Sequence, residues 1–274
     1  MKRFLLFLFA LTLLCTGVTA QTAAYRTDRN VAYRDAAGDG YIDSLCRLDV
    51  YYPADAKGFP TVVWFHGGGL TGGRRDIPKA LCDKGFAVVG VGYRLVPRVK
   101  VADCVEDAAA AAAWVVKNIA SYGGDPKLVF IAGHSAGGYL TSMIGMDKRW
   151  MAPYGIDPDT AFAALIPYSG QAVTHFARRR ELGIPDTQVV VDDMAPLNHV
   201  RPDCPPILIL SGDREREMLG RYEENAYFWR MMQVVGHPDV QIREFDGFDH
   251  GNMPQAGHYV AVRYIRDFVK NRER

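Results

Sequence analysis

Ser135 stands in Gly133-His134-Ser135-Ala136-Gly137, at the end of the apolar run 128–132 and ahead of a helix-compatible stretch, 138–146. A continuous, β-prone apolar run is what a strand buried on both faces needs. Strand, tight turn and helix therefore meet at the serine, and small residues at 133, 136 and 137 keep side chains out of that crossing. The pattern is that of a nucleophile elbow, and the chemistry it offers is acyl transfer to a serine hydroxyl. GxSxG also arises by chance in many proteins, so the rest of the chain has to supply the partners. A serine hydroxyl is a weak nucleophile at neutral pH. It needs a histidine base, and that histidine needs a carboxylate to fix its tautomer and balance its charge.

A second glycine cluster lies upstream. The interior-strand run Thr61-Val62-Val63-Trp64-Phe65 stops at His66-Gly67-Gly68-Gly69, where consecutive glycines let the backbone turn and leave its N–H groups uncovered. Such donors, fixed where a carbonyl oxygen gains charge, are each worth roughly 3 kcal/mol of barrier. Downstream of Ser135 two strand patterns end in candidate partners. Residues 205–211 run into Gly212-Asp213-Arg214-Glu215, and 240–245 run into Gly247-Phe248-Asp249-His250-Gly251. His250 thus follows the last strand and precedes a helix pattern over 255–271. His175, His199, His237 and His258 read as structural or surface residues.

These groups have to be positioned by a regular scaffold. Residues 47–52 alternate as an edge strand would, ended by Pro53, and 86–92 form another strand. The stretch 101–120 reads as a helix, with Asp103, Glu106 and Asp107 in its first turns and an alanine-rich body. Gly123-Gly124 and Asp125-Pro126 break the chain before the elbow strand. A strand at 161–168 and a helix at 218–235 complete the alternation, which predicts an α/β fold with a mostly parallel sheet covered on both faces. Stretches 147–159 and 170–198 are polar and contain proline, and within the second Arg178-Arg179-Arg180 reads as a solvated face.

His66-Gly67-Gly68-Gly69, Gly92-Tyr93-Arg94-Leu95, Asp125-Pro126 and Gly133-His134-Ser135-Ala136-Gly137 resemble, in order and spacing, the α/β-hydrolase esterases of the hormone-sensitive-lipase and carboxylesterase type. The resemblance implies Ser135 as nucleophile, His250 as base and an acyl-enzyme, with no metal or organic cofactor. It implies Gly68, Gly69 and Ala136 as backbone donors to the oxyanion. Laid on the family's pattern, the acid falls at Glu215, in place of the commoner aspartate, with Asp213 as the alternative. About a dozen residues separate Gln21 from the first strand signal near Tyr33, too few for the cap often found in such relatives. That favours an open site, short acyl groups, and a small-molecule or carbohydrate ester as substrate, such as acetyl or feruloyl esters of polysaccharides. Two rivals are a serine peptidase of the prolyl-oligopeptidase kind, which the HGGG loop disfavours, and a non-catalytic binding protein on a hydrolase scaffold.

Residues 1–20 carry Lys2 and Arg3, an apolar core and a small-residue end, the pattern of a cleaved secretory signal. The apolar core is shorter than the roughly 20 residues of a membrane span, and Leu14 disfavours lipid anchoring at Cys15. Export to the periplasm or medium is expected, with 21–274 as a single α/β-hydrolase domain. Cleavage removes two of 32 basic and none of 31 acidic residues, leaving net charge −1, which excludes a polycationic nucleic-acid binder. Cys46, Cys82, Cys104 and Cys204 allow one or two disulfides, or four small buried thiols.

Overall fold

The computed structural model describes residues 24–272. The expected leader, residues 1–20, lies outside them. The chain enters as β1 (Tyr25–Ala32), turns through α1 (Gly40–Leu45) and returns as β2 (Arg47–Pro53). It continues as β3 (Phe59–Phe65), β4 (Ala87–Val91), α2 (Val101–Tyr122), β5 (Gly124–His134) and α3 (Ala136–Met146). The last part runs α4 (Pro158–Ala161), β6 (Phe162–Tyr168), α5 (Phe176–Glu181), β7 (Ile207–Gly212), α6 (Arg221–Val234), β8 (Val240–Phe245) and α7 (Met253–Arg272). The strands form one sheet in the order β1-β2-β4-β3-β5-β6-β7-β8. The pairs β1/β2 and β2/β4 are antiparallel and all others parallel.

The alternation along β3 shows why both faces are covered. Val62 and Trp64 pack with residues of α7 on one side, while Val63 and Phe65 pack with α2 and α3 on the other. A strand with two buried faces has no polar position to spare, hence its unbroken apolar run. On α2 the alanines 108–113 are all buried, so the helix axis comes close to the sheet. The helix ends at Gly123, in the left-handed region at φ 97°, whose N–H returns to Ala120 O at 3.0 Å.

Two expectations about the sheet need correction. Residues 47–53 do not form the edge: β1, with mostly exposed side chains, pairs outside β2. Its polar sequence YRTDRNVA hid it, because an edge strand needs few apolar residues. The Asp125-Pro126 pair does not precede the elbow strand but lies within it. Between paired residues β3 advances from Phe59 to Thr61 while β5 advances from Gly124 to Val129, so the proline sits in a bulge where no ladder N–H is required.

The Gly92-Tyr93-Arg94-Leu95 segment buttresses the glycine loop. The Tyr93 hydroxyl donates to His66 O at 2.8 Å, and its ring stacks on the His66 ring with centroids 4.3 Å apart. Arg94 reaches the wholly buried Asp107 of α2 through Nε at 2.8 Å and Nη2 at 2.9 Å, and its own backbone N–H donates to the same carboxylate. Arg34 adds a further charged contact to Asp107.

The stretch 170–198 contains α5, and one of its three arginines leaves the solvated face that the sequence suggested. Arg179 is buried and donates through Nη1 to Asp186 O and Gln188 O, while Arg180 stays exposed against Asp186. Cys46, Cys82, Cys104 and Cys204 are all free thiols; Cys46, Cys104 and Cys204 are buried and Cys82 is half-buried, so the reading as four buried thiols holds for three of them.

Candidate active site

Ser135 lies between β5 and α3 at φ 56°, ψ −114°, a backbone conformation that a side chain rarely adopts. Its N–H donates to Tyr168 O at 2.8 Å, tying the elbow to β6. The flanking glycines answer a steric demand. A Cβ on Gly137 would stand 2.0 Å from Phe65 O, and one on Gly133 would stand 2.5 Å from the Gly137 carbonyl carbon. Strand and helix cross too closely for any side chain there, so the turn can lift the serine above the C-terminal end of the sheet.

His250, in the loop between β8 and α7, brings Nε2 to 2.9 Å from Ser135 Oγ. Its Nδ1 stands 2.8 Å from Glu217 Oε2. The structure therefore brings Ser135 and His250 within hydrogen-bond distance of each other, but neither Glu215 nor Asp213 reaches the ring. After β7 ends at Gly212 the chain makes one helical turn, in which Glu217 N–H donates to Asp213 O at 2.8 Å. That turn points Glu215 into solvent and carries Glu217 back over the strand end. Asp213 serves the turn, accepting from Glu215 N–H at 2.9 Å and from Gly247 N–H at 2.7 Å. These backbone bonds hold its carboxyl below the usual range. Sequence reasoning missed Glu217 because the spacing rule counts along an extended turn. The i, i+4 relation of Asp213 and Glu217 was the available signal.

The Glu217 carboxylate has 1% side-chain exposure. Burial alone would raise its pKa, but bonds from His250, the Ser169 hydroxyl and Gly212 N–H outweigh it and bring the value to about 2. It is thus a fixed negative charge at neutral pH. His134, the residue before the nucleophile, has Nε2 at 2.8 Å from His250 O. A carbonyl can only accept, so His134 carries its proton on Nε2. Burial, followed by the neighbouring His250, lowers its pKa to about 4 and keeps the ring neutral.

Gly68 and Gly69 have φ of 112° and 64°. A Cβ on Gly68 would meet Gly72 O at 2.3 Å, so this turn admits glycine alone. The loop closes through Gly68 O, which accepts from Thr71 N–H at 3.1 Å and Gly72 N–H at 3.0 Å. Among the described residues the N–H groups of Gly68 and Gly69 have no loop acceptor. Ala136 is the first residue of α3, where an N–H has no intrahelical partner. Gly68, Gly69, Ser135 and His250 line one cavity of about 300 Å³, together with His175, Arg221 and others. His175 is therefore a wall residue of this cavity. Its Nδ1 accepts from Ala177 N–H at 3.1 Å, and burial holds the ring neutral with a pKa of about 3. His237 and His258 lie elsewhere, on Cys204 O and against Trp64, and His199 bonds Asp193 O. No group of three or more metal-ligating side chains occurs among the described residues.

A strained serine, a histidine and a buried carboxylate in hydrogen-bonded sequence, beside free backbone N–H groups, can attack a carbonyl carbon and hold the oxyanion that results. Comparison with known proteins agrees with that chemistry. The family model described as BD-FAE matches residues 48–219. Probable carboxylic ester hydrolase LipM of Mycobacterium tuberculosis is 27% identical over 240 residues, 79% of this chain and 54% of that protein. Esterase LipC of the same organism is 26% identical over 247 residues, 81% of this chain and 59% of that protein. The chain thus spans little more than half the length of these two relatives. The solved structure of Thermogutta terrifontis esterase 2 phosphoramylated by tabun has a TM-score of 0.70 at 25% identity, covering 88% of this chain and 94% of that one. A truncated form of carbohydrate esterase from gut microbiota shares the fold, with a TM-score of 0.71 at 18% identity over 91% and 98% of the two chains. With its mostly parallel eight-stranded sheet and a family match over most of the sheet, the chain belongs to the BD-FAE family, a carboxylesterase-like family of α/β-hydrolases.

Proposed function

We propose that this chain is a carboxylic ester hydrolase working through an acyl-enzyme on Ser135. The observation that carries the reading is the unbroken line from Ser135 Oγ through His250 to Glu217, at 2.9 and 2.8 Å. In the first half-reaction Ser135 Oγ attacks the acyl carbon while His250 Nε2 takes its proton. Glu217 accepts from Nδ1–H, holds the ring in that tautomer and balances the imidazolium charge. The amides of Gly68, Gly69 and Ala136 donate to the oxyanion. His250 then returns the proton to the leaving alcohol. In the second half-reaction water attacks the acyl-enzyme with the same base, releasing the acid and restoring Ser135.

Short acyl groups suit a catalytic cavity of about 300 Å³, and acetyl or feruloyl esters of polysaccharides are the natural substrates we propose to assay first. Export after removal of residues 1–20 belongs to the same proposal, and N-terminal sequencing of the mature protein should begin at Gln21. The enzymatic test is the initial rate on 4-nitrophenyl acetate and 4-nitrophenyl octanoate. Acetate should be cleaved faster, and Ser135→Ala should lower kcat by at least about 10⁴-fold. Equal rates for wild type and Ser135→Ala, or no hydrolysis of either ester, would defeat the proposal.

A further inference from the structure

Next to the catalytic cavity lies a second, larger chamber of about 530 Å³, whose apolar wall includes Val173, Val189, Val191, Leu197, Leu219 and Tyr227. Gln171 and Phe176 line both spaces and so form the threshold between them. Gln171 is 2% exposed. Its Oε1 accepts from Phe176 N–H at 3.0 Å, which fixes the orientation of the amide. The other end, Nε2, is a buried donor with no partner. Buried amides left without an acceptor are uncommon because the desolvation cost is uncompensated. A second such donor, Nε of the buried Arg179, belongs to a residue on the wall of the same chamber.

We propose that Gln171 is a specificity-determining residue whose amide donates to an uncharged oxygen on the substrate arm that passes from the catalytic cavity into the apolar chamber. The oxygen is an ether, hydroxyl or carbonyl, and the atoms beyond it are apolar. A carboxylate is disfavoured, since among the described residues Arg179 is the one cation on the chamber wall against Asp186, Glu223 and Glu224. Arg221, beside the threshold, is already engaged by Glu224 at 2.8 Å and by Ser169 O. The inference rests on the ester-hydrolase reading and adds the chemistry of one substrate arm.

Two substrate pairs isolate that arm. 4-Nitrophenyl butanoate and 4-nitrophenyl methoxyacetate exchange one methylene for oxygen on the acyl side, and butyl acetate and 2-methoxyethyl acetate make the same exchange on the alcohol side. kcat/KM is measured for wild type, Gln171→Glu and Gln171→Met. Gln171→Glu keeps the acceptor for Phe176 N–H and, when ionised, lacks the donor. Gln171→Met removes both polar ends without adding charge. Intrinsic reactivity and any field of the new carboxylate on the oxyanion act within each pair alike, so the readout is the ratio of oxygen-bearing to oxygen-free substrate. In one pair that ratio should fall at least about tenfold in both variants, and the pair that responds identifies the arm. Ratios within about twofold of wild type in both pairs would assign Gln171 a structural role only and overturn the proposal. If one variant fails to fold, the other decides. Absence of wild-type turnover on all four esters would instead sink the hydrolase reading, so the two failures are distinct.

Discussion

The carboxylate facing His250 is held at three places: by the imidazole, by the Ser169 hydroxyl at the end of β6, and by Gly212 N–H at the end of β7. Two of those anchors belong to the sheet, so the charge that orients the base cannot drift from it. Glu217→Gln keeps the shape but offers the wrong hydrogen-bond pattern to Nδ1–H. It should lower kcat by about 10³–10⁴-fold, as losing the orienting acid does in other triads. Glu215→Gln, at an exposed position, should leave steady-state kinetics on 4-nitrophenyl acetate near wild type. A reversed result would return the acid to Glu215. Ser135 and His250 were legible in the sequence because each follows a strand pattern directly and is framed by glycines. Glu217 was not, because three acids stand at 213, 215 and 217 and only the helical turn decides which one returns to the site. Gln171 carried no signal at all, since its meaning lies in two cavities meeting around it.

Among the elements, the glycine loop after β3 depends on a support outside itself. Tyr93 holds His66, and Arg94 holds the segment to α2 through Asp107, a carboxylate with no exposed surface. Removing one partner of such a pair strands the other charge in the interior, which typically costs about 3–5 kcal/mol. Asp107→Ala should therefore lower the melting temperature by at least about 6 °C in a chain of this size, and a shift under about 2 °C would show that the network contributes little. The helices and interior strands were readable from periodicity and apolar runs, with ends that moved by a few residues. The polar edge strand β1 was not, because its ladder bonds to β2 need no apolar side chains, and neither was the strand character of Asp125 and Pro126, which depends on a bulge against β3.

At the scale of the whole molecule, three histidines held neutral by their surroundings, His175 and His258 buried and His134 half-buried, make the fold acid-sensitive. Burial lowers the pKa of His134 to about 4, of His175 to about 3 and of His258 to about 4, against 6.5 in the unfolded chain. Their folded-state values are depressed, so the unfolded state binds more protons as pH falls below 6.5 and stability is lost in that direction. The stability contributed by Glu217, depressed from 4.5 to about 2, is full above 4.5 and lost as pH falls through that lower range. Denaturant midpoints should hold between pH 7 and 8 and decline steadily from pH 6.5 to 4; a midpoint level down to pH 4 would contradict the assignment. The free thiols give a second global readout. Cys46, Cys104 and Cys204 are pushed up to about 11, 12 and 12 by burial, whereas Cys82 is half-buried. A thiol reagent should titrate Cys82 first in the native protein and all four together only after unfolding, and dithiothreitol should leave the melting temperature where it was. The left-handed backbone of Ser135 bears on stability in another way. A non-glycine residue held there costs roughly 1–3 kcal/mol, which glycine does not incur. Ser135→Gly should accordingly melt several degrees above the parent while hydrolysing nothing. The hydroxyl that the proposed acyl-enzyme requires is thus held at the one elbow position where the backbone itself favours glycine, so chemistry and fold stability pull in opposite directions at residue 135.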